Sequence, residues 1–230
     1  MVLVAFLSTK NVANATYNER IEIMRQQVLR DTLIHNTISA IAGEGLDKTT
    51  TRAIIAESGI NEAYIYRLFG DKEGLLASAF DALDNELVLV TTQNLSVMHA
   101  QEMDIETRCR LYFFAVWRFM LSNREKCLAF VRYYYSPYFA KNSMDDHKVR
   151  YMLLMEQIST AFRAEADVWM ILNHILNVML DFAVKVHNGQ MPGNDDYAEH
   201  VFRVIYVSVK QYFRTNEEGG SCNEESAQYY

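Results

Sequence analysis

The sequence predicts an all-α protein. Half of its 230 residues are hydrophobic, enough to bury a sizeable core. Long stretches place those residues at helical spacing, and none shows the alternation of a strand bounded by turn residues. Only two prolines, Pro137 and Pro192, and nine glycines interrupt them. The length suits one large or two modest domains.

Residues 1–18 read as a flexible N-terminal arm. Val2 to Leu7 (VLVAFL) followed by Ala13-Asn14-Ala15 resembles a signal peptide faintly. No positive charge precedes that run, however, and it is shorter than the roughly 7–15 residues of an h-region. A helix is expected over about 20–43, where Val28, Leu29, Leu33, Ile34, Ile38 and Ile41 make an apolar face and Gly43 and Gly45 stop it. Two short helices follow at about 50–57 and 61–68. Asp71 then stands where an N-cap belongs. The next helix carries Leu75, Leu76, Ala79, Phe80, Leu83 and Leu87 to about residue 92. Residues 93–103 read as a connection. Further helices are expected at about 104–122, 124–136, 145–165, 167–188 and 195–214. The tail 215–230, with its EEGGSCNEES run, reads as disordered. The expected division is an arm (1–18), a helical head (19–71), a larger helical body (72–214) and a tail. No internal repeat is visible.

The most specific stretch is Thr50 to Leu76, TTRAIIAESGINEAYIYRLFGDKEGLL. Thr50 or Thr51 can cap the first short helix through its hydroxyl. Gly59 falls where a tight turn needs positive φ. Asn61 can cap the second short helix, and Ile65, Leu68 and Phe69 can face inward. Glu62, Ala63, Tyr64 and Arg67 are then left on or near the outer surface, with Tyr66 at its edge. Two short helices about a tight turn form the layout of a helix-turn-helix, whose second helix enters the DNA major groove.

This stretch resembles the N-terminal domain of TetR-type transcriptional regulators. The residues that carry the resemblance are Thr50, Ile54-Ile55, Gly59, Tyr66, Phe69, Lys72-Glu73 and Leu75-Leu76, over about residues 27–80. The resemblance implies that Thr50, Thr51 and Arg52 meet the DNA backbone. It implies that Asn61, Glu62, Ala63 and Tyr64 reach into the groove, and that Tyr66 and Lys72 hold phosphates. Hydroxyls, amides and cations position a protein on phosphates, while groove-facing side chains read bases. Two positions depart from the pattern. Ile55 replaces a common alanine, and Asn61-Glu62-Ala63 replaces a small or basic run. Glu62 brings a negative charge close to DNA, where it can accept from a cytosine amino group or point to solvent.

Charge limits the affinity. The whole chain carries -7 at neutral pH, which excludes a generally basic nucleic-acid coat. Residues 20–75 hold seven basic and eight acidic side chains, a net of -1. Binding must come from a clustered subset, chiefly Lys48, Arg52, Arg67 and Lys72. It should be modest and salt-sensitive, because phosphate neutralisation dominates such affinity.

The C-terminal pattern predicts self-association. In the helix near 167–188, Asn173, Asn177 and Asp181 form one narrow polar stripe flanked by His174, and nearly everything else is apolar. The helix near 195–214 behaves alike: Glu199, Arg203, Tyr206 and Lys210 form a polar line amid widely spread apolar residues. Helices apolar over most of their circumference are buried on more than one side. A four-helix interface between two copies meets that need, and the resemblance implies the same homodimer. A two-fold pair presents recognition helices to successive major grooves, roughly 34 Å apart or more.

The middle helices are rich in aromatic and sulfur side chains, most of them ordinary core. The resemblance implies a ligand enclosed among them, and Phe114, Trp117, Tyr134 and Met155 are the wall residues expected. The effector expected is small and apolar or aromatic.

Enzyme chemistry is not expected. The six histidines (35, 99, 147, 174, 187 and 200) form no HExxH or i, i+4 ligand pair. His174 and Asp181 read as an interface polar pair, and Asp145-Asp146-His147 as a solvated helix start. No phosphate-cradling glycine loop or GxSxG occurs. The three cysteines, Cys109, Cys127 and Cys222, suit free thiols in a reducing cytoplasm. No catalytic residue, cofactor, metal or membrane span is expected. The expected function is a ligand-responsive, dimeric DNA-binding regulator, a repressor on a palindromic operator. The alternative is an all-α ligand-binding or interaction module that has lost DNA binding.

Overall fold

The computed structural model describes residues 2–56 and 58–214, with residues 2–18 described by backbone alone. Its α-helices are α1 (Val2–Glu44), α2 (Thr51–Ile55), α3 (Ala63–Phe69), α4 (Lys72–Gln93), α5 (Ile105–Ser122), α6 (Arg124–Tyr134), α7 (Pro137–Asn142), α8 (Met144–Ser159), α9 (Val168–His187) and α10 (Asp195–Val209). Short 3-10 turns at Leu95–His99 and Lys210–Tyr212 follow α4 and α10. No strand occurs among the described residues. The expected tail and Cys222 lie outside them.

Most boundaries follow from side chains at the helix starts. Asp71, Asp104, Asp167 and Asn194 each accept from a backbone N–H three residues on, capping α4, α5, α9 and α10. Pro137 begins α7, a helix the sequence pattern misses; proline suits a first turn, where the missing N–H costs no bond. The helix expected over 145–165 stops at Ser159. There the chain turns back, and Phe162 forms an isolated antiparallel bridge with Phe213. Helix α1 starts well before the expected position, so the backbone of residues 2–18 is helical where an arm was expected. Val28, expected on its apolar face, is 64% exposed; the buried stripe begins at Leu33.

Two cores share two helices. Leu33, Ile54, Ile65 and Leu75 form a small buried cluster in the head. The body cluster takes Ile38, Ile41 and Ala42 from α1 and Leu76, Ala79, Phe80, Leu83 and Leu87 from α4, packed on α5, α6, α9 and α10. Helices α1 and α4 therefore run through both regions. Arg132 of α6 donates to the carbonyls of Ile41 and Ala42 at 2.5 and 2.7 Å. A cation there satisfies orphan carbonyls and complements the dipole at the end of α1.

Helix α9 has the length and composition to cross a membrane. Its apolar character is used in the body: Ile171, Leu172, Met179, Leu180 and Ala183 are buried. Its polar stripe turns partly inward, where Asn173 Oδ1 accepts from the Tyr134 hydroxyl at 3.2 Å.

Candidate nucleic-acid interface and effector cavity

The head is built from its caps inward. Thr50, not Thr51, caps α2: its hydroxyl accepts from Ala53 N at 3.1 Å. Asn61 Oδ1 accepts from Ala63 N at 2.9 Å and opens the turn into α3. Gly59 has φ 64°, the left-handed conformation that the turn between the two short helices requires. Ile65 is fully buried, with Leu68 and Phe69 packed beside it.

That packing decides what faces out. Thr50, Arg52, Asn61, Ala63, Tyr66 and Arg67 are exposed; Thr51, Glu62, Tyr64 and Lys72 are half-buried. The ten predicted DNA-facing residues thus lie along α2, α3 and the start of α4, with none buried. Arg67 stacks its guanidinium over the Tyr64 ring, 4.4 Å from the centroid, which pins a cation on the reading face. Lys48, Arg52, Arg67 and Lys72 form no ion pair among the described residues, so their charge stays available to phosphate. Glu62 makes no capping bond to α3.

Sequence reasoning missed the clamp behind this face. Arg30 of α1 lies 4.6 Å over the Phe69 ring, and its Nη1 donates to Leu68 O at 3.1 Å. Asn36 Nδ2 donates to Ile54 O at 3.0 Å. One helix thus holds the ends of both α2 and α3. No local pattern marks Arg30 or Asn36, because their partners lie 38 and 18 residues away. At the other end, a Cβ on Gly74 would stand 2.2 Å from Phe69 O. That close approach joins α3 to the first turn of α4.

The body holds a cavity of about 80 Å³ among α4, α5, α9 and α10. Its lining is almost wholly apolar and includes Phe113, Val116, Leu172, Leu176, Met179 and Phe202. The few polar groups on it belong to Thr91, Cys109, Tyr112 and Tyr206. Burial pushes the Cys109 thiol up to about 12, so it stays protonated. None of the four expected wall residues lines this cavity. Trp117 is buried in the closed core, stacked on Phe113. Phe114 lies edge-on to Phe113 under Arg118. Tyr134 stacks on Phe130, and Met155 packs beside Tyr151 and Leu154. Of the helices that carry those four residues, α5 lines the void broadly, α8 only through Ile158 and α6 not at all; which face of a helix meets the void depends on tertiary packing.

A charged cluster is buried between α4 and α8. Asp84 is fully buried; His147 Nδ1 lies 3.0 Å from both of its oxygens, and Arg150 Nη1 donates to it at 2.8 Å. Arg150 Nη2 also donates to Asp81 at 2.6 Å. This corrects the expectation of a solvated Asp145-Asp146-His147: the two aspartates are exposed, but His147 is 5% exposed and turned inward. Buried charges are tolerated when paired and hydrogen-bonded. His174 and Asp181 also part company: His174 Nε2 is 2.9 Å from Ser208 Oγ, and Lys185 donates to Asp181 at 2.6 Å. No group of metal-ligating side chains occurs among the described residues.

Comparison with known proteins converges on one family. Residues 33–79 match the family profile described as bacterial regulatory proteins, tetR family. They run from Leu33 of α1 to Ala79 in the first third of α4, so the match covers the head. The whole fold is similar to a TetR family transcription regulator from Marinobacter aquaeolei VT8 (TM-score 0.66, 17% identity, 80% of this chain and 97% of that one). It is also similar to a putative tetR family regulator from Shewanella sp. PV-4 (0.64, 16%, 78% and 96%) and to the fatty acid degradation regulator FadR from Bacillus halodurans (0.57, 16%, 76% and 96%). A sequence comparison with curated proteins gave no match.

Proposed function

Starting from a TetR-type head on a body with the fold of such regulators, we propose a ligand-responsive transcriptional regulator that binds a palindromic operator as a homodimer and represses transcription. The observation that carries this reading is the row along α2, α3 and the start of α4, with Lys48 in the loop before it, whose four cations form no ion pair among the described residues. In the proposed docking, Asn61, Glu62, Ala63 and Tyr64 read base edges, while Thr50, Thr51, Arg52, Tyr66, Arg67 and Lys72 engage the backbone. Such a regulator works in the cytoplasm, on double-stranded DNA, and needs no catalytic residue or cofactor.

Dimerisation is supported by the outer faces of α9 and α10. Met170 on α9 and Val204 and Val207 on α10 are 51%, 59% and 61% exposed, an apolar surface on the outer faces of the pair. They flank the His174–Ser208 contact that ties the two helices together. A second copy seated there forms a four-helix interface and sets two reading heads on one DNA face.

Signalling is supported by the reach of α4. Its 22 residues span about 33 Å. Asp71 and Gly74 join it to the recognition helix, and Thr91 near its far end lines the cavity. A small apolar effector that prefers one position of α4 changes the separation of the heads.

A salt-titrated duplex-binding assay tests the reading. Retention at low salt should fall steeply with added salt, and Lys72→Ala should reduce the log–log salt slope by about 1. Retention no better than a neutral control protein, with Lys72→Ala silent, favours the second reading: a ligand-binding module without DNA binding. Glu62 on the reading face is the observation behind that alternative.

A further inference from the structure

The apolar cavity has no Asp, Glu, Lys, Arg or His on its wall among the described residues. A charged effector would enter it unpaired, and an isolated charge in apolar surroundings is costly. The choice among uncharged molecules then falls to the few polar groups on the wall. Cys109 is a weak donor held in its protonated form. Tyr206 belongs to an aromatic stack, with its ring on Phe202 and Phe213. Thr91 and Tyr112 differ from both. They line the cavity from α4 and α5, and a hydrogen bond joins their side chains.

The direction of that bond fixes what the pair can still offer. Thr91 Oγ1 gives its one proton to Val88 O at 2.8 Å. Toward Tyr112 it can therefore only accept, so the Tyr112 hydroxyl donates to Thr91. Burial pushes the Tyr112 phenol above its ordinary range, which keeps that proton in place. Both donors are then used. What is left is acceptor capacity, chiefly on Tyr112 Oη, because Thr91 is 1% exposed. A molecule that brings an O–H completes a chain of donors ending on the Val88 carbonyl, and such chains strengthen each bond in them. A molecule with only an ether or carbonyl oxygen finds no free donor in this pair. Size narrows the class further. The cavity is about 80 Å³, and about 150 Å³ is enough to admit benzene, so modest enlargement accommodates a single ring. The Phe113 and Phe202 rings on the wall favour an aromatic one.

We propose that the Tyr112–Thr91 pair is the polar recognition point of the effector site, and that the effector is a small uncharged aromatic molecule whose hydroxyl donates to Tyr112 Oη. This rests on the reading of the body as a ligand-responsive domain. Thr91 belongs to α4, so the chain of bonds ends on the helix that leads to the DNA-reading face.

The test uses the full chain and four single-ring probes, phenol, anisole, toluene and benzoate, titrated by calorimetry. Toluene makes no hydrogen bond and reports whether the cavity is intact in each variant. Phenol should bind more tightly than anisole, and benzoate most weakly. Tyr112→Phe should weaken phenol about three- to ten-fold, the range of one net hydrogen bond, and leave toluene unchanged. Thr91→Val frees the Tyr112 proton, so anisole should gain by a similar factor relative to toluene. Benzoate binding tightest overturns the proposal. So does a Tyr112→Phe variant that leaves phenol unchanged or weakens phenol and toluene equally, or a Thr91→Val variant without a gain for anisole. In each of those cases binding of a probe keeps the ligand-binding reading; failure of all four to bind the unaltered chain would end that reading together with the proposal.

Discussion

The head and the body bury their residues to opposite ends. The head closes on four fully or nearly fully buried side chains, Leu33, Ile54, Ile65 and Leu75, and presents most of its chemistry to solvent. The body buries a far larger apolar set and keeps its chemistry inside, as an apolar cavity and the Asp84 cluster. A cluster so small cannot hold a reading surface by itself. It relies on α1 and α4, whose other halves are anchored in the body, and on the Arg30 and Asn36 clamps. Two regions with such different reserves should fail separately, and each can be broken without the other.

The largest effect is expected from Ile65→Ala. Removing a fully buried side chain costs about 2–5 kcal/mol, and few neighbours are available to refill the space. DNA binding should vanish while the body stays folded. The body carries its own reporters: Cys127 is buried and pushed up to about 12, as is Cys109. In a Cys222→Ser background both thiols should remain unreactive to a thiol reagent. Rapid labelling would show that head and body unfold as one unit and would erase the contrast.

Asp84→Ala should act in the reverse direction. It leaves His147 and part of Arg150 without their buried acceptor, at about 3 kcal/mol, the lower end for a broken buried pair because Arg150 keeps Asp81. Denaturant unfolding followed by thiol labelling should show the body opening earlier. An unchanged unfolding midpoint would mean that the cluster contributes nothing to the body's reserve.

The smallest effect lies where the regions touch at the surface. Lys141 of α7 donates to Glu73 of α4 at 2.7 Å, and that bond holds the Glu73 carboxyl below its ordinary range. A lowered carboxyl stabilises the fold above its unfolded pKa, and that contribution disappears as pH falls through the lowered value. Lys141→Ala should let the carboxyl climb back, seen by NMR titration, with melting at neutral pH unchanged because exposed pairs contribute little. A clear drop in melting would make this pair a true strut between head and body.

Where sequence and structure agree, the information is local. Thr50 and Asp71 cap α2 and α4 from three residues away, while Asn61, expected to cap α3, stands one position before its N-cap Glu62 and accepts from Ala63 N in the turn. Gly59 stands at the turn that needs it, and which side chains of α2 and α3 stay out of the head's core follows from a few residues of helical period. Where they part, partners are distant. Arg30 and Asn36 gained roles through contacts far along the chain, His147 moved from a presumed solvated start into a buried cluster through Asp84, 63 residues away, and the cavity took Phe113 and Val116 rather than Phe114 and Trp117.

The sequence by itself determined the helical class, the head and the surface that the head shows. Caps, turns and amphipathic period are written within a few residues, and physics reads them there. Only the tertiary structure decided which face of each body helix meets a void and which charges are buried together. Those outcomes depend on how whole helices pack side by side, and a periodic pattern says that a face is apolar without saying what it will meet.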